Sequence, residues 1–151
     1  MNQQNSRQRL YACLLLIGAS ILLSRTIIMI IQGNLRILVP WVSFLLVAEL
    51  LIDLSCAVFS VIWWISNDVS RDSIPLKLGA TAAILHAFRV LVFVIGRLGP
   101  WIDFDIKPEQ RVLHDTNGEI GWIYFAAIMS ILSIIGVVVI WRLRRRTRKT
   151  T

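Results

Sequence analysis

Four apolar runs, at about 10–31, 39–66, 76–98 and 121–141, take up most of this 151-residue chain. A helix needs about 20 residues to cross the hydrocarbon core of a bilayer, and each run is long enough. With no water available inside that core, the backbone must satisfy its own N–H and C=O groups, which a helix does. Composition agrees: 56% of the residues are hydrophobic, against roughly 45–50% in soluble domains. Little chain remains outside the runs, so there is no room for a separate soluble domain. The sequence predicts an all-α membrane protein, a four-transmembrane-helix bundle forming one integral membrane domain over 1–151. The first run follows Arg7 and Arg9 and contains the small residues Gly18, Ala19 and Ser20, as a cleaved leader would. Its apolar character resumes after Arg25, however, which favours a retained helix.

A net charge of +7 invites a nucleic-acid reading, but the basic residues sit in the wrong places for one. Six of the sixteen Lys and Arg form a tail over 142–151: Arg142, Arg144, Arg145, Arg146, Arg148 and Lys149. Arg7 and Arg9 lie at the other terminus, and Arg71 with Lys77 flank the connection after the second run. The stretch 99–120 instead carries five of the nine acids, Asp103, Asp105, Glu109, Asp115 and Glu119, against Lys107 and Arg111. The positive-inside bias then puts both termini and the middle connection in the cytoplasm and leaves one sizeable acidic outer loop between helices 3 and 4. A plasma or inner membrane is the expected home. A basic tail beside a span also attracts anionic headgroups, at about 1 kcal/mol per residue near the surface.

The tryptophans fit these spans. Trp41, Trp101 and Trp122 fall near one set of span ends, Trp63, Trp64 and Trp141 near the other, and Tyr11 at the start of the first span. Such rings favour headgroup level. Pro40 and Pro75 suit first helical turns, where a missing N–H does no harm, and Ser73 can cap the third helix. The short connection 32–38 makes the first two spans antiparallel neighbours. In the outer loop, 101–106 alternates weakly as a strand would, and 115–118 reads as a turn, so a small hairpin or cap is conceivable. Cys13 and Cys56 belong to no paired motif and lie at different depths, which argues against a disulfide.

The spans are not uniformly apolar. Glu49 and Asp53 lie one helical turn apart in the second, and His86 and Arg89 about one turn apart in the third. An ionisable group at the bilayer centre costs at least about 2.5–3.5 kcal/mol on insertion scales, so each needs a partner or a purpose. At about 100° per residue, Glu49, Asp53, Cys56 and Ser60 share one face. Gly79, Ala83, His86, Val90 and Arg97 share another, with Arg89 at its border. Gly18, Arg25, Met29 and Gln32 align on the first span. On the fourth, Ala126, Ser130, Ser133 and Gly136 form a small, mildly polar side. Counting depth at about 1.5 Å per residue along antiparallel helices brings Glu49 level with Arg89, and Asp53 level with His86 near the midplane. The predicted contacts are therefore Glu49–Arg89 and Asp53–His86, with Arg25 as a further cation. Two acids against two arginines sum to zero, the balance a low-dielectric interior selects.

This pattern points to a small non-enzymatic polytopic protein, self-assembling or an accessory subunit of a larger membrane complex. The buried network would fix helix packing, and Gly79, Ala83 and Ala87 would allow close helix approach. One alternative is a proton-coupled or ion-conducting oligomeric transporter or channel using Glu49, Asp53, His86 and Arg89, since intramembrane acids and histidines serve as proton relays. A second is a redox subunit binding haem or quinone at His86, although no second histidine lies in a span to complete a haem ligand pair. Asp103, Asp105, Glu109, His114 and Asp115 match no calcium or zinc spacing, so no metal is expected. The chain has no G-x-S-x-G, HExxH, P-loop or CxxC motif, and catalytic residues are not predicted.

Overall fold

The computed structural model describes residues 3–31, 36, 38–66, 72–98, 107 and 120–149. Four helices account for the regular structure of these residues: α1 Gln3–Ile31, α2 Pro40–Ser66, α3 Ser73–Leu98 and α4 Ile120–Lys149. Ser6–Ile31, Pro40–Ser66 and Ser73–Val92 are long and apolar enough to cross a membrane; the described apolar stretch of α4 is shorter, Ala127–Arg142. α4 does not stop at Trp141 but continues through the arginine run to Lys149. Arginine is a good helix former, and nothing in that run breaks the backbone pattern. The outer-loop strand, turn and metal-ligand expectations, at 101–106 and 109–118, fall outside the described residues.

Helix starts follow local chemistry. The carbonyl of Val39 accepts bonds from the N–H groups of Val42 and Ser43, at 3.1 and 3.2 Å. Pro40, in between, opens α2 with the N–H it lacks where none is needed. At α3, Ser73 is the first helical residue rather than the one before it, and buried Asp72 precedes it. Asp is as good a capping residue as Ser, so the polar start anticipated at Ser73 falls one position earlier.

α1 packs on α2, α2 on α3 and α3 on α4, with lighter contact from α1 to α3 and α4. The order of neighbours gives the directions. Met29 meets Arg89, and Arg89 meets Glu49. Further along, a Cβ on Gly79 would meet Leu15 and Cys56. At one end Tyr11, Ala12, Leu15, Trp63, Leu76 and Ile140 form one apolar cluster. Numbers fall along α1 and α3 as they rise along α2, so consecutive helices run antiparallel. At the other end Leu38, Val42, Leu46 and Val92 cluster, with Met29 and Val39 packed against them.

The buried residues of α2 are Val42, Leu46, Glu49, Asp53, Cys56, Ser60 and Trp63. Steps of four and three alternate throughout, the 3.5-residue repeat of a left-handed coiled-coil seam. Glu49 and Asp53 thus occupy seam positions that apolar side chains would ordinarily fill. The opposite face is apolar and exposed: Phe44, Leu51, Val58 and Ile65 repeat every seventh residue at 74%, 58%, 48% and 73% exposure. A helix apolar outside and charged inside inverts the soluble pattern and suits a lipid solvent. Among the described tryptophan side chains, one is buried. Trp63 is only 2% exposed and sits in the cluster that joins all four helices, whereas Trp41, Trp64 and Trp141 are open. Its place on the seam outweighs its position near a helix end.

Candidate functional site

Glu49, Asp53, His86 and Arg89 are all 0% exposed. Nε of Arg89 donates to both carboxylate oxygens of Glu49, at 2.8 and 2.7 Å. Nε2 of His86 lies 2.9 Å from Oδ2 of Asp53. Each contact joins a seam residue of α2 to α3, one helical turn apart, so the two pairs form successive rungs of an antiparallel ladder. The network also has cross-links. Nη1 of Arg89 donates to the Met29 sulfur of α1 at 3.0 Å, and Nη2 stands 3.4 Å from Nδ1 of His86. Nδ1 in turn lies 3.6 Å from Oε2 of Glu49, beyond hydrogen-bond range.

These distances select a tautomer. A guanidinium has donors only, so Nδ1 facing Arg89 is the acceptor and Nε2 carries the hydrogen that Asp53 accepts. With His86 neutral, buried Arg89 and half-buried Arg25 balance Glu49 and Asp53 in formal charge. The imidazole stands between two carboxylates, with one ring nitrogen toward each. Both nitrogens already have partners, so a haem iron at His86 would have to break the Asp53 bond or displace Arg89. A quinone bonded to the same imidazole would meet the same competition. Among the described residues, no group of three His, Cys, Asp or Glu is arranged to hold a metal ion.

Arg25 lies within electrostatic reach of Arg89, Glu49 and Asp53, but its Nη1 is buried without a hydrogen-bond partner. Oδ1 of Asp53, Oγ of Ser60, Nε1 of Trp63 and Oε1 of Gln8 share that condition. Each such atom costs about 1–3 kcal/mol if it stays unpaired. The packing residues fare differently from one another: Gly79 and Ala83 are buried and Ala87 is half-buried. At Gly79 a Cβ would stand 3.0 Å from Leu15 Cδ2 and 3.6 Å from Cys56 Sγ. Its smallness serves packing within the chain. Cys56 is buried and donates to the carbonyl of Pro75 at 3.7 Å, and both cysteines are free thiols. On α4, Ser130 is buried, while Ser133 and Gly136 are half-buried; the side chain of Ala126, like residue Gln32, lies outside the described set.

Sequence reasoning did not assign Met29 a polar role, because its hydropathy reads as core; its alignment with Arg25 on one face was the available signal. It did not single out Gln8 at all. No protein-family model matches the chain, and no curated protein or solved structure is significantly similar to it.

Proposed function

We propose that this chain is a non-enzymatic, multi-pass integral membrane protein that assembles with itself or as a subunit of a membrane complex. Its helices cross the bilayer four times with both termini in the cytoplasm, the acidic loop outside and the basic tail beside anionic headgroups. The observation that carries this reading is the fully buried Glu49–Arg89 and Asp53–His86 ladder on the α2–α3 seam beneath outward-facing apolar side chains. Polar residues at seam positions fix register and partner choice at some expense in stability. α4 supports assembly: Tyr124, Phe125, Ile128, Ile131, Leu132, Ile135, Val138 and Val139 are each 45% exposed or more. That surface is suited to lipid and to helices of another subunit alike. Native mass of the purified protein in mild detergent tests the proposal, which predicts a dimer, a higher oligomer or a co-purifying membrane subunit. A persistent lone monomer overturns it.

One observation favours a second reading, proton-coupled or ion-conducting transport through Glu49, Asp53, His86 and Arg89. The His86 ring stands between two carboxylates, and one oxygen of Asp53 has no protein partner. Carboxylates and histidines placed this way in a membrane exchange protons in pumps and transporters. Liposome flux that falls in Asp53→Asn and Glu49→Gln supports this reading, and flux equal to wild type in both removes it.

A further inference from the structure

α1 carries two seams. Ala12, Leu15, Ala19, Leu22 and Thr26 are buried, in alternating steps of three and four, on the side that meets the rest of the bundle. Leu14, Gly18, Ile21, Arg25 and Ile28 repeat the same steps on a neighbouring face. A repeat of 3.5 residues is what one helix presents to another along a left-handed crossing. This second seam is open: Leu14, Ile21 and Ile28 are exposed, and a Cβ on Gly18 would meet nothing within 4 Å. Its apolar members suit lipid. Arg25 does not.

The guanidinium of Arg25 has five N–H donors. Among the described residues none of them makes a hydrogen bond, and Nη1 is buried without a partner. The acids of the ladder are already held, Glu49 by Arg89 and Asp53 by His86. They offset the charge of Arg25 from a distance and leave its donors unmet. A cation inside a span ordinarily has a bonded partner. Arg25 lies six residues, about 9 Å, before the end of α1. Helix side chains lean toward the N-terminus, here away from the headgroups at that end. The buried Nη1 likewise holds the guanidinium at the level of the ladder, so a lipid phosphate is a poor fit. The acceptor that suits it comes at the same depth, on another helix.

We infer that the Leu14–Gly18–Ile21–Arg25–Ile28 face of α1 docks a transmembrane helix of a different protein, one that carries an Asp or Glu bonded to Arg25. A carboxylate matches a guanidinium in charge and takes two of its donors at once. Gly18, two turns away on the same face, lets the partner's backbone come close. A lone carboxyl in hydrocarbon is protonated, so docking it adds no net charge to the bundle, wherever its proton settles. A second copy of this chain does not supply the acid. Seam against seam would set Arg25 beside Arg25, and the acids described within its spans, Glu49 and Asp53, are fully buried and bonded. The inference rests on the reading that the chain is a subunit of a membrane complex, and it names the contact and the chemistry of the partner.

The test uses the full chain in phosphatidylcholine bilayers and two synthetic Leu/Ala helices of about 20 residues. One carries a single Glu at the depth of Arg25, the other Gln. A dansyl label on each helix reports binding by energy transfer from the tryptophans of the chain. The Glu helix should bind about three- to tenfold more tightly than the Gln helix. Arg25→Gln should abolish that preference while the His86 ring-nitrogen shifts stay as in wild type, and Arg25→Lys should keep part of it. Gly18→Leu fills the seam and should weaken binding of the Glu helix several-fold. Gly136→Leu, the same change at an open glycine of α4, should leave it unchanged. Equal binding of the two helices to wild type overturns the inference. A Glu preference that survives in Arg25→Gln overturns the role of Arg25, and full binding in Gly18→Leu overturns the choice of face. Native mass reads assembly with whatever the preparation contains, whereas the synthetic helices read this seam alone, so the failure of either is seen apart from the other.

Discussion

Replacing Glu49 by leucine should destabilise the protein far more than replacing Arg89 by leucine, although each removes one half of the same pair. In Glu49→Leu, buried Arg89 and half-buried Arg25 face only Asp53, leaving one uncompensated positive charge. Arginine cannot shed a proton to relieve it. The neutral Met29 sulfur and His86 Nδ1 still touch Arg89 but do not offset its charge. Removing one partner of a buried pair in this way costs about 3–5 kcal/mol. In Arg89→Leu the surplus charge is negative, and Glu49 can take up a proton and become neutral. What remains is the loss of hydrogen bonds to a charged group, about 1.5–3 kcal/mol. The double variant removes both charges together, and apolar replacement of a buried pair is often neutral or stabilising. It should therefore lie within about 1 kcal/mol of wild type and above both single variants. SDS titration of the purified chain in mixed micelles, followed by fluorescence of its six tryptophans, reads all four proteins on one scale. An average interhelical hydrogen bond in a membrane bundle is worth only about 0.6 kcal/mol. A Glu49→Leu loss that small, or a double variant as unstable as the sum of the singles, refutes the charge-balance reasoning.

The remaining predictions concern packing and thiols. Gly79→Ile should cost about 1–3 kcal/mol by overpacking against Leu15 and Cys56, whereas the Cβ of Gly79→Ala is tight only against the flexible end of Leu15 and should cost less. Gly136→Ala, with nothing within 4 Å of its new methyl, should be neutral or gain up to about 1 kcal/mol of helix propensity; thermal unfolding of the three variants checks the order. N-ethylmaleimide should modify half-buried Cys13 before buried Cys56 in the folded protein, as mass spectrometry of digested samples would reveal. Equal rates would mean that the α2–α3 seam opens readily.

The residues that sequence placed best are those whose chemistry clashes with their surroundings. Acids four apart on one helix and a His/Arg pair three apart on the next admit few antiparallel registers, so a depth count was enough to pair Glu49 with Arg89 and Asp53 with His86. Finer contacts depend on rotation about each helix axis, which a few degrees of supercoil alter. That is why Met29 meets Arg89 unannounced and why Trp63, near a helix end, faces the bundle rather than outward. Arg25 shows a further limit: its face and depth were readable, but not that Nη1 would be left without a partner. Ser60 shows another, since composition cannot distinguish a hydroxyl that bonds the carbonyl four residues earlier from one that does not. The extension of α4 to Lys149 was obscured because charge marks where a span ends, not where a helix does.

The account stands most directly on the ladder being formed in a bilayer. Dipolar recoupling between 15N-labelled Arg89 and 13C-labelled Glu49, and between 15N-labelled His86 and 13C-labelled Asp53, measures both rungs in lipid. The predicted result is strong coupling from Arg89 Nε to the Glu49 carboxyl carbon and from His86 Nε2 to the Asp53 carboxyl carbon, as contacts of 2.7–2.9 Å to their oxygens require. Absence of coupling at both rungs, in protein that is folded and membrane-embedded, would contradict it.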